Sequence, residues 1–143
     1  MRIVADSGIL GLDDFNLEGA ELVLVPGREI TNDKLLNADA LLVRSITRVD
    51  KALIDGTAVG FVGTATSGRN HLDEHYLNSR GIVVADSKGA NASAVVDYVF
   101  AVLAYCVGKG LLDSGFQRRV RIGIVGLGCV GELLNKRLRV AGF

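Results

Sequence analysis

The chain has 143 residues, 49% of them hydrophobic, with 16 basic and 16 acidic side chains and a formal net charge of zero. That suffices for one domain, or for one and part of another, and the balanced charge gives no long-range field to draw in nucleic acid or an anionic membrane. No apolar run approaches the ~20 residues of a membrane span. Cys106 and Cys129 show neither metal-ligand spacing nor a disulfide framework, so a reduced, cytoplasmic compartment is expected.

The N-terminus, Met1 to Asp6, lacks the layout of a signal peptide and reads as a strand centred on Ile3–Ala5. Further short apolar runs follow at Glu21–Val25, Ala40–Val43, Gly60–Val62 and Ile82–Ala85. Runs with so little polar alternation suit strands buried on both faces of a parallel sheet. Helical segments lie between them. Thr31 is placed to cap Asn32–Leu36, Asp50 to cap Lys51–Ile54, and Asn70 to cap the next helix, with Asp73 three positions on, close to a capping box. This β-α rhythm predicts a doubly wound α/β fold. A long helix is expected over Ala92–Gly108. It is apolar nearly all round, which predicts burial between layers or domains. The boundary is placed at Asn91, giving regions 1–91 and 92–143. Gly108 to Arg119 reads as a connection, Arg121–Val125 as another strand, and Glu132–Val140 as an amphipathic helix.

Between that last strand and helix stands Gly126-Leu127-Gly128-Cys129-Val130-Gly131, a G-x-G-x-x-G turn. In a strand-turn-helix setting such a turn predicts a dinucleotide site. The first glycine permits the tight turn, the second admits a pyrophosphate, the third lets helix and strand pack closely, and the helix N-terminus offers its N–H groups to phosphate. The acidic residue that would read the ribose is expected about 20 residues on, beyond Phe143. Cys129 sits where a helix dipole would favour a thiolate, but it is expected to serve as a small space-filling side chain rather than a reactive one.

Two more loops have the chemistry of an anion site. Arg44-Ser45 closes one apolar strand, and Gly63-Thr64-Ala65-Thr66-Ser67-Gly68 follows another. In a parallel sheet both lie at the carboxyl edge, where ligands bind. Guanidinium, hydroxyl and backbone N–H groups there suit a carboxylate or phosphate; the same loops also serve as plain connectors. His71 and His75 are spaced i, i+4, but H-L-D-E-H is not the H-E-x-x-H zinc pattern. They are expected as surface or capping residues of a helix, and no metal site is assigned.

In order along the chain, Val25-Pro26-Gly27-Arg28, Ala38 to Thr47, Phe61 to Thr66, His71-Leu72-Asp73, Asn91-Ala92 with Val95 to Val99, and Gly123 to Gly131 resemble the D-isomer-specific 2-hydroxyacid dehydrogenases. Within that family they resemble the branch that oxidises 4-phosphoerythronate in pyridoxal phosphate (vitamin B6) biosynthesis. The resemblance implies a flavodoxin-like substrate lobe followed by the first βα unit of a Rossmann domain, with NAD as cofactor. It implies a small anionic phosphorylated hydroxy acid as ligand, a homodimer as the parent enzyme, and a cleft between the lobes. Ser45 and Thr66 match substrate-contacting positions; Gly126, Gly128 and Gly131 match the cofactor loop. The family's catalytic arginine, glutamate and histidine fall beyond Phe143, so the 143 residues are expected to be inactive alone. Asp6 to Leu10, Ser67 to Asn70 and Ser87 to Ala90 depart from the family's pattern and bear on substrate rather than fold. The alternatives are a dehydrogenase of another 2-hydroxy acid and a non-catalytic anion-binding or assembly module pairing through the Ala92–Gly108 helix.

Overall fold

Five short strands form one parallel sheet: β1 (Arg2–Asp6), β2 (Glu21–Val25), β3 (Ala40–Val43), β4 (Phe61–Thr64) and β5 (Val83–Asp86). Their order is β2-β1-β3-β4-β5, the flavodoxin-like arrangement. The computed structural model describes residues 1–14, 17–112 and 121–143. They fall into two compact units, Met1–Ser87 and Lys88–Phe143.

Strand register explains the core of the first unit. Val23, Val4, Leu41, Val62 and Val84 are successive partners across the five strands. Side chains alternate across a sheet, so this row shares one face. It packs with Leu35, Leu53, Ile54 and Leu77 from the short helices α1 (Asn32–Leu35), α2 (Lys51–Ile54) and α3 (Glu74–Ser79). The next row, Leu24, Ala5, Leu42, Gly63 and Ala85, occupies the other face. The expectation of burial on both faces holds best for the three central strands. At the edges, Leu24 of β2 and Val83 of β5 are exposed, because an edge strand has a neighbour on one side alone.

The helix starts differ in part from the sequence pattern. Asp50 caps α2 as expected, its carboxylate accepting from the Leu53 N–H at 3.3 Å. Thr31 occupies the cap position of α1 without bonding the helix backbone. Its hydroxyl serves Asp33 instead and holds that carboxyl below the ordinary value. Asn70 caps nothing: α3 begins at Glu74, and the cap is Asp73, which accepts from the Tyr76 N–H at 3.0 Å. The reason is tertiary. The Val49 N–H donates to the His71 carbonyl, and the Asp73 N–H donates to that of Val49, both at 2.8 Å. This bridge, Val49 with Leu72, engages the backbone of residues 71 and 73 outside the helix and delays its start.

In the second unit α4 spans Ala92–Gly108 and α5 spans Cys129–Val140. Arg137 of α5 reaches Asp97 and, at 2.9 Å, the Ser93 hydroxyl of α4. Ala92 and Val96 are buried, but Tyr98, Val102 and Tyr105 are exposed, so α4 is covered on one side rather than all round. Arg121–Val125 is not a strand. An extended run becomes a strand when neighbours take up its N–H and C=O groups, and this unit has no other strand among the described residues. Most of the expected connection, residues 113–119, lies outside the described residues.

Candidate functional site at the carboxyl edge of the sheet

The strands end in polar residues: Asp6 closes β1, Thr64 closes β4 and Asp86 closes β5. All lie at the carboxyl edge, where open α/β sheets bind ligands beside the point at which strand order reverses. Here that point falls between β1 and β3.

Asp6 is fully buried there and takes a bidentate pair from Arg44: Nε to Oδ2 at 2.8 Å and Nη2 to Oδ1 at 3.1 Å. The Gly8 N–H donates to Oδ1 at 2.9 Å. Burial pushes the Asp6 carboxyl up, but the Arg44 hydrogen bond, the Gly8 and Gly27 N–H groups and the Arg44 charge outweigh it and hold the pKa below the ordinary value. A side chain at Gly8 would overlap the Arg44 guanidinium, and one at Gly27 the Asp6 carboxyl. The ion pair is thus boxed in by backbone. Arg44, a candidate anion ligand from its sequence position, already has one edge of its fork committed to Asp6. Ser45 is exposed beside it, in a turn closed by the Thr47 N–H on the Arg44 carbonyl.

The loop after β4 holds a run of hydroxyls. His71 Nε2 lies 3.0 Å from the Thr64 Oγ1, which lies 2.8 Å from the Thr66 Oγ1. Thr66 donates to the Gly68 carbonyl at 3.1 Å. Burial pushes the His71 imidazole below the ordinary histidine value. His71 precedes α3 while His75 lies within it, so the two do not share a helix face; their expected common surface is corrected by the Val49–Leu72 bridge. Val43 and Thr64 are register partners. Ser45 and Thr66 therefore stand at equivalent positions, each two residues past that pair, in the loops that follow adjacent strands.

Beneath this edge is an open cavity of about 240 Å³ lined by Ile9, Leu42, Gly63, Thr64, Ala65, Ala85, Asp86 and Ser87. It exists because Gly63 and Ala85 carry little or no side chain on that face. A cavity this size admits a small acid rather than a nucleotide. Arg69 braces its rim, with Nε on Asp86 at 2.6 Å and Nη1 on Glu74 at 3.2 Å. Ser87 donates to the Thr64 carbonyl at 3.1 Å. Asp6, His71 and Asp86 were not singled out as site residues by sequence. For Asp6 and Asp86 the available signal was a charged residue ending an otherwise apolar strand; His71 ends no strand and gave no such signal.

The glycine turn lies in the other unit. Gly126 has φ +91°, a left-handed conformation that strains other residues. Gly131 lies against the turn so closely that a Cβ would overlap the Gly126 carbonyl oxygen. Gly128 is the N-cap of α5, makes no side-chain cap and faces open space. The first N–H groups of α5 are therefore uncapped by any side chain, which fits an incoming phosphate.

A five-stranded parallel sheet with ligand-type loops at its carboxyl edge, followed by a glycine turn opening a helix, defines an α/β protein of the dehydrogenase kind. The description "D-isomer specific 2-hydroxyacid dehydrogenase, catalytic domain" matches residues 12–131, and the chain belongs to that family. It is 43% identical to the erythronate-4-phosphate dehydrogenase of Yersinia pestis (strain Pestoides F), across 99% of this chain and 37% of that protein. The chain thus spans 37% of the length of such curated relatives. Among solved structures, the TT0316 protein of Thermus thermophilus superposes with a TM-score of 0.70 at 22% identity, over 99% of this chain and 54% of its own. The NAD+-bound 3-phosphoglycerate dehydrogenase of Entamoeba histolytica gives 0.65 at 21% identity, over 99% and 51%. These two likenesses establish the fold.

Proposed function

We propose that this chain supplies the substrate lobe and the beginning of the NAD-binding domain of a dehydrogenase that oxidises the 2-hydroxyl of 4-phosphoerythronate to a ketone, a step toward pyridoxal phosphate. The observation that carries the reading is 43% identity to a dehydrogenase of that substrate across nearly the whole chain. Residues 1–91 form the substrate lobe in this reading, and residues 92–143 begin the cofactor domain. Ser45 and Thr66 contact the phosphorylated hydroxy acid, and Thr66 directly follows Thr64 and Ala65, which line a cavity sized for a small acid. Gly126, Gly128 and Gly131 with the start of α5 hold the cofactor's pyrophosphate. NAD, when bound, accepts the hydride leaving C2. The residues of this chain bind and orient; a homodimer and a cytoplasmic setting complete the proposal. No helix among the described residues is long and apolar enough to cross a membrane.

Oxidation also requires a base for the hydroxyl proton and a cation for the carboxylate. Arg44 is held by Asp6, and His71 faces Thr64. Arg44 is thus already paired as a cation, and His71 is already engaged at Nε2. The 143-residue chain, supplied with NAD and 4-phosphoerythronate, is therefore expected to release no NADH. Absorbance of the reduced nicotinamide checks this, and steady NADH formation by the purified chain would overturn it.

A further inference from the structure

At the end of β1 a carboxylate closed to solvent is held by one edge of a guanidinium that solvent reaches. The Asp6 side chain is 0% exposed and that of Arg44 is 38% exposed. Nε–H and one N–H of Nη2 are spent on Asp6. A guanidinium is planar, with five N–H groups in a fixed fork, so holding this edge also fixes the direction of the next. That end-on pair, one N–H of Nη1 and the second of Nη2, bonds no other group among the described residues.

The guanidinium lies in a slot walled by backbone. One wall is Gly8, whose N–H bonds Asp6 at 2.9 Å, and a Cβ there would overlap Nη2 and Cζ of Arg44. The wall is tied down by the Ser7 N–H on the Val25 carbonyl at 2.9 Å and the Ile9 N–H on the Asp6 carbonyl at 3.0 Å. Gly27 walls the carboxylate itself, and a Cβ there would overlap Oδ2. Desolvation offsets most of what a buried ion pair gains in stability. What this one secures is geometry. Asp6 also offsets the Arg44 charge, so the open edge offers direction more than charge.

We propose that Asp6 is a positioning residue, with Gly8 leaving the room it needs: it aims the end-on edge of Arg44 so that two parallel N–H groups meet two oxygens of a ligand oxyanion. Phosphate and carboxylate both accept such a pair. This rests on the reading that a phosphorylated hydroxy acid binds at this edge, and deepens it by naming what sets the anion contact. Without the clamp, Arg44 keeps its charge but must be ordered anew each time the ligand binds.

Variants of the 143-residue chain separate direction from charge. Calorimetry gives the affinity of each for 4-phosphoerythronate, erythronate and inorganic phosphate. Asp6→Asn removes a negative charge beside the anion, so charge alone predicts tighter binding. Positioning predicts binding about fivefold weaker, the order of cost for fixing one long side chain. Gly8→Ala alters no charge and suits the backbone, since Gly8 is outside the left-handed region. By displacing the guanidinium it should weaken binding to a similar degree. In an Arg44→Gln background neither change should weaken binding further, whereas a merely structural role would weaken it in both backgrounds. Erythronate and inorganic phosphate each carry one of the ligand's two anionic ends, and the one whose affinity follows these substitutions marks the end that Arg44 takes. Unchanged or tighter binding of all three probes by Asp6→Asn would overturn the proposal. A check without ligand follows hydrogen exchange of the Arg44 Nε–H, expected to be slow in the wild type and fast in Asp6→Asn and Gly8→Ala. Fast exchange in the wild type would overturn the clamp whatever the chain binds, and unchanged binding by Gly8→Ala despite fast exchange would overturn its role. Slow exchange in a wild type that binds none of the probes would instead overturn the functional reading, and the role of Asp6 with it.

Discussion

Gly131→Val is expected to detach the start of α5 from the glycine turn, while Gly128→Ala leaves it in place. A Cβ at Gly131 would overlap the backbone carbonyl oxygen of Gly126. Backbone cannot rotate away as a long side chain can. Inserting side-chain volume into a packed site typically costs about 1–3 kcal/mol, and the valine should fall at or above the top of that range. At Gly128 nothing lies within 4 Å of the same added atom, and φ is −83°, which alanine adopts without strain. Amide hydrogen exchange distinguishes the two. In Gly131→Val, protection of α5 from Val130 to Leu138 should collapse; in Gly128→Ala it should match the wild type. Equal protection in all three proteins would mean that the third glycine is not a packing requirement. Gly128→Ala is also the informative variant for cofactor binding. It closes the space through which a pyrophosphate reaches the helix N-terminus without disturbing the helix.

Leu41→Ala is expected to be the most damaging single truncation in the first unit. Leu41 is the middle member of the five-strand row Val23, Val4, Leu41, Val62 and Val84, and it is fully buried. Both its neighbours in the row, Val4 and Val62, are themselves at 0% exposure, so little can move in to fill the gap. Leucine-to-alanine changes in such sites cost about 2–5 kcal/mol through lost transfer energy plus the cavity, and about 3–4 kcal/mol is expected here. Leu24→Ala, on the exposed side of edge strand β2 with 47% of its surface open, should cost less than about 1 kcal/mol. Urea unfolding of the two variants measures the difference, which should appear in the midpoint rather than the slope. Similar losses for both would contradict the assignment of the core to the helix-covered face.

The sequence made the sheet readable because β2 and β3 are short runs in which nearly every residue is apolar, and the structure keeps both at their expected bounds. The long helix Ala92–Gly108 was equally plain, since seventeen residues without proline or internal glycine leave little alternative. What failed depended on partners distant in sequence. Asn70 resembled a cap, but the bridge between Val49 and Leu72 takes up the backbone groups of residues 71 and 73, and the helix starts later. Arg121–Val125 has the composition of a strand, but composition does not supply the neighbour that a ladder needs. At the site, Arg44 was legible as a charge at a strand end. Its engagement by Asp6, 38 residues earlier, was not, because no local pattern records which side chains two parallel strands bring together. The link from His71 to Thr64 escaped for the same reason: helical spacing with His75 suggested a surface pair, whereas the fold turns His71 toward the loop.

The central claim is that the carboxyl edge of this sheet is a binding site for a small phosphorylated hydroxy acid. The most direct measurement is a titration of the ¹⁵N-labelled chain with 4-phosphoerythronate, followed by amide shifts and run beside an identical titration with inorganic phosphate. The account predicts saturable shifts concentrated at Arg44 to Thr47 and Thr64 to Gly68, with inorganic phosphate reproducing only part of them. No shift at saturating ligand, or shifts lying away from both loops, would contradict it.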